Sequence, residues 1–336
     1  MRAPEEFAIL RDRRYHQVVA RDAQRQVLRR GVHRLAGLYE RLVWHRRWQD
    51  IALIPEQGRR QKLSTCIITM NAESRIRPLL EYIRPFSDEI VVGVDSKTTD
   101  NTFQACEGLA DELFTIENDA PTCNGGLEAL VKRCHGDWVL RLDDDEFPEP
   151  AFARFKDGLL SSELFTHYKL PRLHLSSVER DPLEISGPAP YHLSWIRDGY
   201  LYPDFQLRLF RNDPALLSFP GPVGHGSIQC EGRRGKLNSV HLVHLNLAMN
   251  PRFAREQKLD RYIARHNGGW VHPVNELALL FENFKYKIEP YRYPDEAFIT
   301  LISEITLHQR ELLQAQQPEE DLQNMGTLGD PTSLLS

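Results

Sequence analysis

The chain has 336 residues and a formal net charge of −5, from 42 Lys and Arg against 47 Asp and Glu. Hydrophobic residues make up 41%, charged residues 26% and aromatics 9%, which excludes collagen-like, mucin-like and largely disordered classes. No apolar run reaches the 18 residues that argue for a membrane-spanning helix; the longest, VHLVHLNLAM, carries two histidines.

Residues 1–60 hold 14 arginines, no lysine and 7 acids, so the remaining residues carry 28 bases and 40 acids. Val18, Val19, Ala23 and Val27, then Leu35, Leu38, Tyr39 and Leu42, recur at three- and four-residue steps, which predicts helices with arginine on the other faces. The favoured reading is a basic helical extension docked on an acidic catalytic domain. The rival is an arm for an anionic surface, nucleic acid or a membrane lipid. The start MRAPEEF has no apolar core before a small-residue site, so no secretory signal is expected. Five cysteines without C-x-x-C spacing argue against structural zinc and a disulfide framework, and for a cytoplasmic location.

From residue 62 the pattern changes. Ser64–Thr69, Glu89–Val94, Leu113–Ile116 and Trp138–Leu142 read as strands. Between them lie helical stripes: Ile76, Leu79, Leu80 and Ile83; Thr102–Ala110, with Asp100 as N-cap; and Leu127, Leu130, Val131 and Cys134. Alternation of this kind predicts a parallel sheet covered on both faces, over residues 62–150. Residues 151–250 continue with a helix near Ala151–Leu160, a Pro-, His- and Trp-rich stretch from Pro171 to Pro203, and strands at Gln206–Phe210 and Ser239–Leu245. Residues 251–316 read as C-terminal helices, Pro251–His266, Asn275–Phe284 and Glu296–Gln316, and residues 317–336 as a mobile tail.

Ligands of a parallel sheet bind beyond the carboxyl ends of its strands. The four segments there are TMNAES, DSKTTDNT, ENDAPTCNGG and DDDEFPEP, and none is a Gly-rich dinucleotide or phosphate loop. The last packs Asp143, Asp144, Asp145 and Glu146 onto a buried strand, which is unfavourable without a cation nearby. Alternate residues share a side, so Asp143 and Asp145 are candidate ligands for Mg²⁺ or Mn²⁺, against the plain reading of a solvated acidic turn. Asp95 ends the second strand, where it can accept hydrogen bonds from a ribose or a base, or cap its own turn.

STCIITMNAE, EIVVGVDSKTTDNT and GDWVLRLDDDE together resemble the nucleotide-sugar-binding half of family 2 glycosyltransferases, which have the GT-A fold. YPDFQLRLFRN, VGHGS and the histidine after SVHLV resemble the bacterial lipopolysaccharide-core-type branch. The resemblance implies an α/β GT-A fold: a Rossmann-like, mostly parallel sheet flanked by helices. It implies Thr69 and Asn71 in the base pocket with Asp95 on the base. Asp143 and Asp145 would hold the metal on the diphosphate, with Glu146 in support, and Arg208 would face the site. His244 completes the metal shell in this reading, or is a buried structural histidine. Two departures stand out: Lys97 replaces a small residue after Asp95, and Gly226 follows His225 where the branch has a V-H-E carboxylate.

The implied activity is a metal-dependent inverting transferase, with Mn²⁺ or Mg²⁺ as cofactor. It would move a sugar from a nucleoside-diphosphate donor, UDP foremost, to a glycan, lipid-linked or small-molecule acceptor. The catalytic-base candidates are His225, Asp204 and the acids from Glu179 to Glu184. Tyr191, Trp195, Tyr200 and Tyr202 are candidates for sugar stacking or for core packing. No nucleic-acid partner is expected of the whole chain, whereas residues 1–60 are candidates for peripheral contact with anionic membrane. The alternatives are a non-catalytic protein with a relic donor site that docks a partner, and another nucleotide-phosphate enzyme on an α/β sheet.

Overall fold

The computed structural model describes residues 48–49, 60–117, 126–176, 193–196, 202–220, 228–237, 240–251, 254–255, 257 and 288–315. The expectations for His225, the acids from Glu179 to Glu184, Tyr191, Tyr200, most of residues 1–60, nearly all of the two helices after Pro251 and the tail lie outside these residues. Strand β1 (Trp48–Gln49) falls in the segment read as helical and pairs parallel with Lys236 and Leu237, a local correction to that reading.

The alternating unit follows. Strand β2 (Leu63–Thr69) leads to helix α1 (Glu73–Ile83), then β3 (Glu89–Asp95), α2 (Thr102–Cys106), β4 (Glu112–Ile116), α3 (Leu127–Val131) and β5 (Trp138–Asp143). The stripe Ile76, Leu79, Leu80 and Ile83 is the buried face of α1, as its spacing predicts. Complete burial of such an aliphatic side chain contributes about 1.5–3 kcal/mol. Helix α2 stops at Cys106 rather than Ala110, because Gly108 takes φ 74°, a left-handed conformation that ends helices. Asp100 lies one residue before the cap position, yet its Oδ1 still accepts the Thr102 N–H at 3.0 Å. Cys134 is buried but lies beyond the end of α3.

The second half contains β6 (Glu146–Pro148), α4 (Pro150–Leu160), β7 (His167–Ser176), β8 (Ser194–Ile196), β9 (Asp204–Arg211), β10 (Leu217–Ser218), β11 (Gln229–Cys230), β12 (Arg234–Leu237), β13 (Leu242–His244), α5 (Asn246–Met249), β14 (Ile288–Pro290) and α6 (Glu296–Ala315). The ten-residue β7 is the main departure, since its residues read as an irregular Pro-rich stretch. Pro171 is tolerated because β12 pairs with residues 167–169 of β7 and β13 with residues 172–174, so it falls between the two partners. The strand expected over Ser239–Leu245 contracts to β13.

The strand order is β1-β12-β7-β9-β5-β2-β3-β4. The steps β5-β2-β3-β4 are all parallel, whereas β9 runs antiparallel to both β5 and β7. The result is a mixed sheet flanked by helices, of the α/β class. Leu63 and Ile67 of β2 join the core under α1, while Cys66 and Ile68 join a second core under α3. That alternation explains why β2 reads as an unbroken apolar run.

Candidate active site

Strands β3, β2 and β5 are adjacent and parallel, with Thr69 opposite Val94 and Ile68 opposite Asp143. Thr69, Asp95 and Asp143 therefore end on one edge. Asp95 and Asp143 are two strand spacings, about 10 Å, apart along it.

Asp95 is buried, and its Oδ1 accepts the Lys97 N–H at 2.9 Å while its carbonyl accepts the Thr98 N–H at 2.9 Å. The acid thus caps the turn in which Lys97 stands. Asn71, exposed and at φ 50°, accepts the Thr99 N–H on Oδ1 at 2.8 Å, which ties the loop after β2 to the loop after β3. Thr69 is fully buried and its hydroxyl donates to Asp144 at 2.7 Å, so it organises the acidic turn beside the rim formed by Asn71 and Asp95.

The acids after β5 divide between different partners. Asp144 turns toward α1, where Arg75 Nη2 donates to both of its oxygens at 3.0 Å. Burial, then the neighbouring Asp145 charge, raises the Asp144 proton affinity against the pull of Arg75. Asp143 lies between two guanidiniums, with Arg141 Nη2 and Arg208 Nη2 each 2.5 Å from one of its oxygens. Glu146 is completely buried and accepts from Arg208 Nη2 at 2.6 Å, from Arg172 Nη1 at 3.2 Å and from the Asp143 N–H at 3.1 Å. Burial, then the Asp143 charge, pushes its carboxyl up to about 8. Asp145 faces His244, whose Nε2 is 3.3 Å from its Oδ2.

Arg208 reaches this cluster through an irregularity in β9. Tyr168 is opposite Leu209 and Lys169 opposite Leu207, so Arg208 is an extra residue, a bulge of the kind that re-aims a side chain. The basic strand residue named by the resemblance thus meets Asp143 and Glu146.

His244 is directly opposite His174 on β7, and their Nδ1 atoms are 2.9 Å apart. His174 Nε2 is 3.2 Å from Asp204 Oδ2, which also takes Arg172 Nε at 2.7 Å. Gln206 Nε2 donates to the other Asp204 oxygen at 2.5 Å. Burial opposes ionisation of Asp204, but the His174 hydrogen bond and the Arg172 charge prevail and hold its carboxyl below the usual range. A carboxylate gripped in this way is a poor proton acceptor. Its two oxygens are shared among His174, Arg172 and Gln206.

His241, three residues before His244, goes elsewhere. Its Nδ1 is 2.8 Å from Glu149 Oε2 and its Nε2 is 3.1 Å from the Tyr202 hydroxyl. Tyr202 also packs edge-on against Trp195 at 5.0 Å. Of the aromatics considered for stacking, these two are brought together.

Among the described residues, no group of three or more His, Cys, Asp and Glu side chains forms a ready-made metal cage. Mg²⁺ and Mn²⁺ do not require one, since they are commonly held by one or two carboxylates with substrate phosphates completing the shell. Two ligands bound at about 2.1 Å and at right angles are about 3 Å apart. The Asp145–His244 separation meets that requirement, so the donor set fits such an ion.

Sequence reasoning missed Arg75, Arg141, Arg172 and His174. Arg172 and His174 alternate with Leu173 and Leu175, a strand signal masked by the prolines around it. Nothing in the local sequence marks Arg75, which meets Asp144 across 69 residues of chain.

Residues 64–154 match the sequence model of Glycosyl transferase family 2. An uncharacterized glycosyltransferase of Rickettsia typhi is 33% identical over 88 residues, covering 26% of this chain and 28% of its own length. One from Rickettsia bellii is 25% identical over 132 residues, covering 39% and 44%. The chain thus aligns with less than half the length of these relatives. Glucosyl-3-phosphoglycerate synthase from Mycobacterium tuberculosis, solved with Mn²⁺, UDP and glucosyl-3-phosphoglycerate, is similar at 15% identity and TM-score 0.38, over 69% of this chain and 87% of that one. The family match falls on the strands and turns that carry Thr69, Asp95, Asp143 and Asp145.

Proposed function

We propose that the protein is a nucleotide-sugar-dependent glycosyltransferase that uses Mn²⁺ or Mg²⁺, takes a UDP-sugar as its foremost donor and transfers with inversion. The observation that carries this reading is the strand edge itself. Asp95, Asp143 and Asp145 line one edge of adjacent parallel strands within the family-matched segment, and Asp145 is paired with His244 at 3.3 Å.

Asp95 and Asn71 form the nucleoside end of the site. Asp143, held between Arg141 and Arg208, stands at the sugar-phosphate end. Asp145 and His244 would hold the metal, with Asp143 adjacent. When bound, the ion supplies positive charge to the leaving diphosphate. Arg208 and Arg141 hold Asp143 in place, and Arg75 holds Asp144 away from the donor. His225 is assigned as the base that removes the acceptor hydroxyl proton while the anomeric carbon–diphosphate bond breaks on the opposite face. This assignment rests on the Gly-rich sequence GPVGHGS around His225 and on the near-neutral range in which an ordinary histidine exchanges its proton. The acceptor belongs to the glycan, lipid-linked or small-molecule class. The lipopolysaccharide-core-type branch and a peripheral membrane contact through residues 1–60 are part of the same proposal. No helix among the described residues is long and apolar enough to cross a membrane.

The test is Mn²⁺-dependent turnover of UDP-, GDP-, CDP- and dTDP-sugars, read as release of the nucleoside diphosphate, with thermal shift alongside. A ligand at a hundredfold excess over its Kd stabilises the folded state by about 2.7 kcal/mol. Stabilisation by a nucleotide sugar without turnover would favour the non-catalytic binding protein, and absence of both would refute the donor site.

A further inference from the structure

We propose that His174 and Asp204 are positioning residues that fix the proton of His244 on Nδ1 and so present its Nε2 lone pair as a metal ligand beside Asp145. This inference rests on the donor-site reading above.

The argument follows the protons along the chain of contacts. Asp204 accepts from Arg172 Nε at 2.7 Å and from Gln206 Nε2 at 2.5 Å, so its carboxylate acts only as an acceptor. His174 Nε2, 3.2 Å from the same carboxylate, must therefore carry the proton of that ring. A neutral imidazole has one N–H, which leaves a lone pair on His174 Nδ1. His244 Nδ1 is 2.9 Å from that lone pair and must donate to it. The two rings meet at 84°, with centroids 4.9 Å apart. The proton of His244 is thereby committed to Nδ1, and its bare Nε2 points at Asp145 Oδ2, 3.3 Å away. A lone pair and a carboxylate oxygen at this separation can share one cation.

The strand register builds this arrangement. Arg172 is opposite Asp204 across β7 and β9, and His174 is opposite His244 across β7 and β13. Residues 172 and 174 lie on the same side of β7 because they are two apart. A histidine ligand with its other nitrogen bonded to an outer partner is a general device for fixing ring orientation. Here the outer partner is a second histidine, itself oriented by a carboxylate. His241 provides a contrast within the chain, because both its ring nitrogens are engaged, by Glu149 and Tyr202.

The experiment uses the full chain. Mn²⁺ affinity is measured by electron paramagnetic resonance without donor, and the histidine tautomers by ¹⁵N NMR of the Mg²⁺-loaded protein. His174→Leu should weaken Mn²⁺ binding about 10–100-fold. His174→Gln, whose amide donates to Asp204 and accepts from His244, should recover most of that loss, and His241→Asn should leave the affinity unchanged. Wild-type spectra should show His174 protonated on Nε2 and His244 on Nδ1. Wild-type Mn²⁺ affinity in His174→Leu, or a His244 protonated on Nε2 with bare Nδ1, overturns the relay. Should His174→Leu fail to fold, the wild-type tautomers and the His174→Gln affinity still decide. A wild type that binds no Mn²⁺ overturns the metal reading itself, whereas one that binds Mn²⁺ with the opposite tautomer overturns the relay alone.

Discussion

Arg75 and Asp144 form an ion pair across the base of the candidate site, with Arg75 Nη2 3.0 Å from each carboxylate oxygen and both side chains at most 15% exposed. The pair separates the middle acid of the triplet from its neighbours and ties α1 to the turn after β5. Burial works to lower the Arg75 pKa, but the Asp144 and Asp145 charges prevail and raise it.

Removing one partner of such a pair strands the other. Arg75→Met should destabilise the fold by about 3–5 kcal/mol, read from urea unfolding. Adding Asp144→Asn should recover most of that loss, since an amide can still accept from Thr69. A single-mutant cost under about 1 kcal/mol would instead mean that water reaches Asp144, as it does an exposed pair.

Asp145→Asn keeps the shape of the turn and removes the charge opposite His244. Turnover should fall about a hundredfold or more, since a bound metal supplies several kcal/mol of charge stabilisation and each 1.36 kcal/mol is a decade. Its dependence on Mn²⁺ should disappear with it. Near-normal activity with undiminished metal dependence would remove Asp145 from the metal site.

At the nucleoside end, Asp95→Asn retains an acceptor for the Lys97 N–H, so the turn should survive. Affinity for the free nucleoside diphosphate, measured by calorimetry, should drop about 10–150-fold, the scale of one charge-assisted hydrogen bond at about 1.5–3 kcal/mol. If nucleotide affinity holds while sugar selectivity is lost, Asp95 belongs to the sugar end.

His167 offers a pH test away from the site. Burial, then the Arg234 and Lys169 charges, lowers its pKa to about 4. The unfolded chain, with a histidine near 6.5, therefore binds more protons than the folded one between those values. Its stabilising contribution is complete above about pH 6.5 and declines as the pH falls toward 4, with a slope of at most about 1.4 kcal/mol per pH unit. His167→Asn should flatten that limb of the stability curve, and an unchanged slope would show that His167 is protonated in the folded state.

His225→Gln tests the base. Donor and Mn²⁺ binding should persist while transfer falls about 10²–10⁴-fold, the usual worth of general-base catalysis. An unchanged rate would return the role to the acids between Glu179 and Glu184.

The alternating half was legible because its signals are local. Buried parallel strands demand apolar runs, and α1 demands its i, i+3, i+4, i+7 stripe. The same half displays its acids at strand ends, so Asp95, Asp143 and Asp145 could be picked out before any coordinates. β7 escaped because Pro171 interrupts the alternation of Arg172, Leu173, His174 and Leu175. Its stability comes from the four strands beside it, β8, β9, β12 and β13, all of which come later in the chain.

Residue types and their spacing by themselves determined the α/β class, the strand edge and the acids that stand at it, since each follows from periodicity within about ten residues. The assignment of partners was decided only in three dimensions. Asp144 goes to Arg75, Asp143 to Arg141 and Arg208, and Asp145 to His244. Asp204, a candidate base in the sequence, meets His174, Arg172 and Gln206. These outcomes depend on strand register and on the bulge at Arg208, which set which charges meet at 3 Å. A carboxylate's function follows from those neighbours, and they lie tens of residues away along the chain.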